Sequence, residues 1–200
     1  MRTLEHPTKA IKEAPTRTPV HPLIRARFST RSVGAEPVTQ EELDTLFEAA
    51  AWAPSSMNEQ PWRFRYALQG TAAFGTLAEL LMPGNRPWAE HAAVLVAISG
   101  MKHHARNGQP NATWQHDVGL ATANLVHQAT AMELFGHLMG GFDHARVQEM
   151  LHLDPAKEEV VTVLALGRLG EAEALDEPYR TRELSARVRK PLEETAIALI

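Results

Sequence analysis

The stretch from Thr113 to about Phe135 reads as one long helix that is apolar on nearly every side. Val118, Leu120, Ala121, Leu125, Val126, Ala129 and Met132 are spread around its axis instead of gathering on one stripe. A helix of that kind must be buried. A 200-residue chain has room for one core and can hide roughly 70% of its unfolded surface. Surrounding such a helix in so small a domain is easiest when a second copy covers the face left open, so a homodimer is expected.

Other segments supply both kinds of regular structure. Thr39 and Glu42 make a capping-box start, and Leu43, Leu46, Phe47, Ala50 and Ala51 continue at helical spacing up to Pro54. Trp62, Phe64, Tyr66 and Leu68 alternate with polar or small residues, the period of a half-buried strand. Residues 71–82 read as a helix, Pro83 to Pro87 break it, and the apolar run Ala92 to Ser99 suits a buried strand. After the polar loop Met101 to Ala112 and the long helix come a Gly140-Gly141 turn, an Asp143-capped helix to Leu151, and a strand at Val160 to Leu166. The last thirty residues look charged and loop-like until Pro191 to Ile200. Without repeats or regular alternation, the expected class is α+β with a mixed central sheet flanked by helices. Residues 1–22, with Pro7, Pro15, Pro19 and Pro22, read as a mobile arm ahead of one domain over 23–200.

Twenty Lys and Arg against 24 Asp and Glu give a net charge of −4, which offers no broad attraction for nucleic acid, so any anion site must be local. The chain has no cysteine, which removes disulfides, thiolate nucleophiles and zinc-cysteine sites and fits the cytoplasm. No apolar run follows the basic start as in a signal peptide, and none is long enough for a membrane span.

Two local patterns offer chemistry. Arg27 and Arg31 flank Ser29, and Arg187 and Arg189 stand near the other end. Guanidinium forks match phosphate oxygens, and arginines four apart on a helical turn, or two apart in extended chain, share a face. Taken alone, they equally suit a solvated surface. The second pattern is Ala53-Pro54-Ser55-Ser56-Met57-Asn58-Glu59-Gln60-Pro61-Trp62, whose small side chains admit a flat ligand and whose hydroxyls and amides can bond its polar edge. By composition alone it is an ordinary turn. Ten histidines raise the possibility of metal, but His103 and His104 are adjacent and no HExxH motif occurs. His144, Gln148 and His152 read as a solvated face. Asp117 and Asn124 on the long helix are expected to satisfy backbone or cross-dimer hydrogen bonds.

Taken in order, Arg27-Phe28-Ser29-Thr30-Arg31, the APSSMNEQPW loop, Asp117 to Gln128 on the buried helix, His137-Leu138-Met139-Gly140-Gly141-Phe142-Asp143 and Arg187-Val188-Arg189-Lys190-Pro191 resemble the nitroreductase family over roughly residues 23–195. The resemblance implies an intertwined α+β homodimer with FMN at each subunit interface, reduced by NADPH or NADH. It places Arg27, Phe28 and Ser29 by the FMN phosphate and ribityl chain, Arg31 by the N1 and O2 edge, and Arg187 and Arg189 at the phosphate. Pro54, Ser55, Ser56 and Asn58 would come from the other subunit, and the Gly140-Gly141 backbone would approach N5. The flavin carries the chemistry, so no protein nucleophile and no metal is implied. Nitroaromatics, quinones or other electron-poor conjugated compounds are the implied oxidants, reduced in a ping-pong cycle. Enone reduction, dehalogenation or flavin storage on the same scaffold are the alternatives.

This sequence departs from the family at two places. Phe28 stands where a second basic residue is common, and Glu133-Leu134-Phe135 replaces the usual Gly-Leu-Gly. Trp88, Trp114 and the Met101 to Ala112 loop are the candidates for walls or a lid of the substrate pocket. His137, ahead of the glycines, reads either as a residue over the flavin site or as a packed loop histidine.

Overall fold

Alternate side chains of one central strand enter two different cores. In a computed structural model that describes residues 6–199, β3 (Val94–Met101) sends Val94, Val96 and Ile98 into a cluster with α3 (Gln40–Ala51) and α6 (Trp114–Ala131). Leu95 and Ala97 enter the opposite cluster with α4 (Ala72–Glu79), α5 (Arg86–Ala89) and α7 (His144–Met150). Helices on both faces explain why this strand is an unbroken apolar run.

The sheet contains β1 (Val33–Gly34), β2 (Trp62–Leu68), β3, β4 (Leu134–Met139) and β5 (Glu158–Leu169). Its order is β1-β5-β3-β2, with β4 also paired to β5. Every recorded pairing is antiparallel, so the class is α+β as expected but the sheet is not the mixed one expected. β3 and β4 run the same way, yet β5 separates them, with Leu164 facing Val96 on one side and Leu138 on the other.

The Thr39–Glu42 capping box forms with both of its hydrogen bonds. The long helix stops at Ala131, short of the expected end. Glu133 takes a positive φ of 59°, and Leu134 and Phe135 open β4, because these two apolar residues fall at spacings that would also continue the helix and a lone glutamate is not a turn signal. Half of α6 is buried, while Gly119 is exposed and Ala123 and His127 are half-buried. They line a groove of about 400 Å³ with Arg27, Leu138, Val161 and Thr162.

Part of the N-terminal segment is helical. Residues 1–5 lie outside the described residues, but α1 (Pro7–Lys12) packs on the domain, with Thr8 and Lys12 buried. Pro7 and Pro22 occupy the first turns of α1 and α2 (Pro22–Ala26), where a missing N–H costs nothing, so these prolines start helices. Near the other end the expected loop contains α8 (Tyr179–Glu183), whose Glu183 is fully buried.

Candidate functional site

Arg27 to Arg31 leave α2 in extended chain, so period two sorts the side chains. Phe28 and Thr30 turn inward at 2% and 0% exposure, while Arg27, Ser29 and Arg31 share the outer face. The expectation of a shared face holds, with strand geometry in place of a helical turn. Phe28 is corrected as a cofactor contact through its side chain, because its ring is buried 5.1 Å from that of Phe135. Arg27 Nη1 donates to Ser29 Oγ at 3.3 Å.

Glu183 fixes this segment. Its carboxylate accepts from Thr30 Oγ1 at 2.6 Å and from the Arg31 N–H at 2.9 Å. Nothing in the sequence marked Glu183, whose partners lie more than 150 residues away.

Arg187 belongs to the same corner. Its Nη1 donates to the carbonyls of Arg27 (2.6 Å), Lys12 (3.0 Å) and Arg25 (3.1 Å), while its buried Nε has no partner among the described residues. Burial and the neighbouring Arg189 hold Arg27 below its ordinary pKa; burial, then Arg27 and Arg189, do the same to Arg187. For Arg31 the causes are burial and then Arg182, opposed by Glu183 and Tyr179. Among the described residues none of Arg27, Arg31, Arg187 and Arg189 forms an ion pair with a carboxylate. The mutually repelling guanidiniums of Arg27, Arg187 and Arg189, with the orphaned Arg187 donor, fit a phosphate, which would satisfy the donor and neutralise the charge.

His137 adjoins the cluster from β4. Its Nδ1 donates to the Thr30 carbonyl at 3.0 Å, and burial, followed by Arg31 and Arg27, pushes its pKa down to about 4 against the Thr30 bond. Its ring lies 4.6 Å from that of Trp88, and Arg31 Cζ lies 5.9 Å from the same indole. Trp88 itself is 1% exposed and donates Nε1–H to the Gly84 carbonyl at 3.1 Å, so it underlies the site and is no lid. Trp114 is corrected likewise. It packs in the α6 core so closely on Gly100 that a Cβ there would lie 2.5 Å from its ring.

The Pro54–Asn58 loop is held in costly backbone geometry. Met57, Asn58 and Gln60 have φ of 55°, 55° and 51°, a region where a non-glycine residue costs about 1–3 kcal/mol. Asp117, 2% exposed on α6, accepts from the Ser56 N–H at 3.1 Å, and Ser55 Oγ accepts from the Gln60 N–H at 3.0 Å. Glu59 accepts from the Ala105 N–H and from His104 Nδ1 at 3.3 Å, tying the loop to the 102–112 segment. Pro54 and Asn58 stay exposed, and Ser55 and Ser56 are half-buried. No hydrogen bond or ion pair among the described residues joins Pro54–Asn58 to Arg27, Arg31, Arg187 or Arg189 of the same chain. Asn124 donates to the Ala49 carbonyl at 3.2 Å, the backbone role expected of it.

At the glycine turn, a Cβ on Gly140 would meet nothing within 4 Å, so its backbone fronts open space. Gly141 is the tight member. Its carbonyl accepts from Met82 N and Asn85 Nδ2 at 3.0 and 2.9 Å, and a Cβ there would lie 2.7 Å from Asn85. His144 stacks on Phe142 at 3.9 Å and Gln148 bonds the backbone of Glu158 and Val160, so this helix face is not simply solvated. Among the described residues no three His, Asp or Glu converge as metal ligands would.

The nitroreductase family model matches residues 24–73 and 66–168. An oxidoreductase structure containing FMN superposes with a TM-score of 0.84 at 35% identity, covering 91% of this chain and 92% of that one. A Desulfovibrio desulfuricans protein solved in complex with FMN gives 0.73 at 26% identity, covering 92% and 99%. A Bacillus subtilis (strain 168) relative named "Putative NAD(P)H nitroreductase YdgI" is 24% identical over 196 residues, covering 81% of this chain and 91% of its own length. The chain belongs to the nitroreductase family.

Proposed function

We propose that this protein is an FMN-dependent oxidoreductase, working as a homodimer, that takes hydride from NADPH or NADH and delivers it to nitroaromatics, quinones or similar electron-poor conjugated compounds. The observation that carries the reading is the set of arginines at 27, 31, 187 and 189, without carboxylate partners among the described residues and with the Arg187 Nε donor free. The structures containing FMN share this fold.

Arg27, Ser29, Arg187 and Arg189 bind the phosphate and ribityl chain, and Arg31 faces the N1 and O2 edge. The open Gly140 backbone leaves room for the ring at N5. Pro54, Ser55, Ser56 and Asn58 are contributed by the other subunit, consistent with an exposed, strained loop that makes no hydrogen bond to Arg27, Arg31, Arg187 or Arg189 of its own chain among the described residues. The half-buried α6 face with Leu138 and Val161 suits the dimer contact. Bound FMN supplies the atom, N5, that accepts and then donates hydride. The residues around it bind, orient and exclude water. His137, neutral at ordinary pH, offers its Nε2 as an acceptor, so proton delivery is left to water. The cytoplasmic location expected from the sequence belongs to the same proposal; no helix among the described residues is long and apolar enough to cross a membrane.

Steady-state rates over a grid of donor and oxidant concentrations test the proposal, with NADPH and NADH against a nitroaromatic, a quinone and an enone. Parallel double-reciprocal lines with at least one oxidant are expected for a ping-pong cycle. Intersecting lines would exclude that cycle, and absence of turnover with every pair would refute the reductase.

A further inference from the structure

Lys12, in the segment read from sequence as a loose arm, is 8% exposed and shares the corner of the arginine cluster. Its Nζ donates to the carbonyls of Arg182 at 2.7 Å and Ser185 at 2.8 Å, at the end of α8. Its own carbonyl accepts from Arg187 Nη1 at 3.0 Å. One residue therefore grips Arg187 and the helix whose Glu183 orders Thr30 and Arg31. The charged groups facing its ammonium are Glu183, Arg31 and Arg187; burial and the two guanidiniums lower its pKa, and Glu183 alone opposes them. That balance leaves surplus positive charge in a buried place, and a bound dianion is the compensation it lacks. Around Lys12 the segment is fastened on two sides. Lys9 pairs with Glu133 and lies 5.5 Å over the Phe135 ring, while Glu13 pairs with Arg25 at 2.5 Å and the Ala14 N–H donates to the Arg25 carbonyl at 3.0 Å.

We propose that Lys12 is a positioning residue and an additional cation of the anion site, so that phosphate binding and the docking of residues 6–14 strengthen each other. Such coupling is reciprocal by linkage: whatever the docked segment adds to phosphate affinity, phosphate adds to docking. The inference rests on the FMN reading of the arginines, and riboflavin, which lacks the phosphate, separates the two.

Dissociation constants for FMN and riboflavin are to be measured on the flavin-free wild type and on Lys12→Gln, together with amide hydrogen exchange of residues 6–14 in the wild type under each flavin. The wild type should prefer FMN, and Lys12→Gln should lower the FMN-to-riboflavin preference by about tenfold, the effect of one charge at close range in partly screened surroundings. FMN should slow exchange in residues 6–14 where riboflavin does not. Equal wild-type affinity for the two flavins would overturn the arginine site and this inference with it. A preference that survives Lys12→Gln, or exchange that responds equally to both flavins, would overturn the inference alone. If Lys12→Gln fails to fold, wild-type exchange decides.

Discussion

The rings of Phe28 and Phe135 lie 5.1 Å apart at an angle of 44°. The resemblance read from the sequence implies a basic residue at position 28 and a glycine at position 135. The two positions are thus joined in one buried aromatic contact. A double-mutant cycle of Phe28→Leu and Phe135→Leu by denaturant unfolding should give a coupling of about 0.5–1.5 kcal/mol, the usual worth of an aromatic pair beyond its burial. Additive effects would show that the two substitutions are independent.

Glu183 holds the arginine segment from beneath, through Thr30 Oγ1 and the Arg31 N–H. In Glu183→Gln the amide can accept from one of these donors but presents its NH₂ to the other. The expected loss of stability is about 1–3 kcal/mol, read as a lower unfolding midpoint, with weaker FMN binding because Arg31 is less well ordered. An unchanged midpoint would remove Glu183 as the anchor of this segment.

The histidine beside the cluster gives a dependence on pH. His137 has its pKa pushed from 6.5 to about 4, so as pH falls the unfolded chain takes up this proton first. Its contribution to stability is complete above about 6.5 and declines from there to about 4, by about 3 kcal/mol in all. His137→Asn keeps a donor for the Thr30 carbonyl without the titration. Its melting temperature should therefore fall less steeply than the wild type's over that interval, and parallel curves would contradict the assignment.

Arg31 tests the orientation of the cofactor. A guanidinium at the N1 and O2 edge stabilises the negative charge that two-electron reduction leaves there. Arg31→Ala should weaken FMN binding and lower the reduction potential of the bound flavin, measured by equilibration against reference dyes. If both values stay at the wild-type level, Arg31 is not at that edge.

Patterns carried by neighbours in sequence were legible. Alternation marked Trp62 to Leu68, the capping box marked the start of α3, and the apolar run marked β3. The shared face of Arg27, Ser29 and Arg31 could also be read from spacing. What could not be read depends on distant partners. Lys12 meets Arg182 and Ser185, Glu183 meets Thr30 and Arg31, and no local spacing announces either contact. Trp88 and Trp114 looked like pocket walls because type alone does not say which side chains are inside. The α6–β4 junction was hidden because Leu134 and Phe135 fall at spacings that serve a helix as well as a strand.

The visible absorption spectrum of the protein, reconstituted with FMN and desalted, then mixed with NADPH or NADH without oxygen, tests the assignment most directly. Flavin bands that survive desalting and bleach on adding either donor are the predicted result. Protein that emerges colourless, or flavin that stays oxidised with both donors, would contradict it.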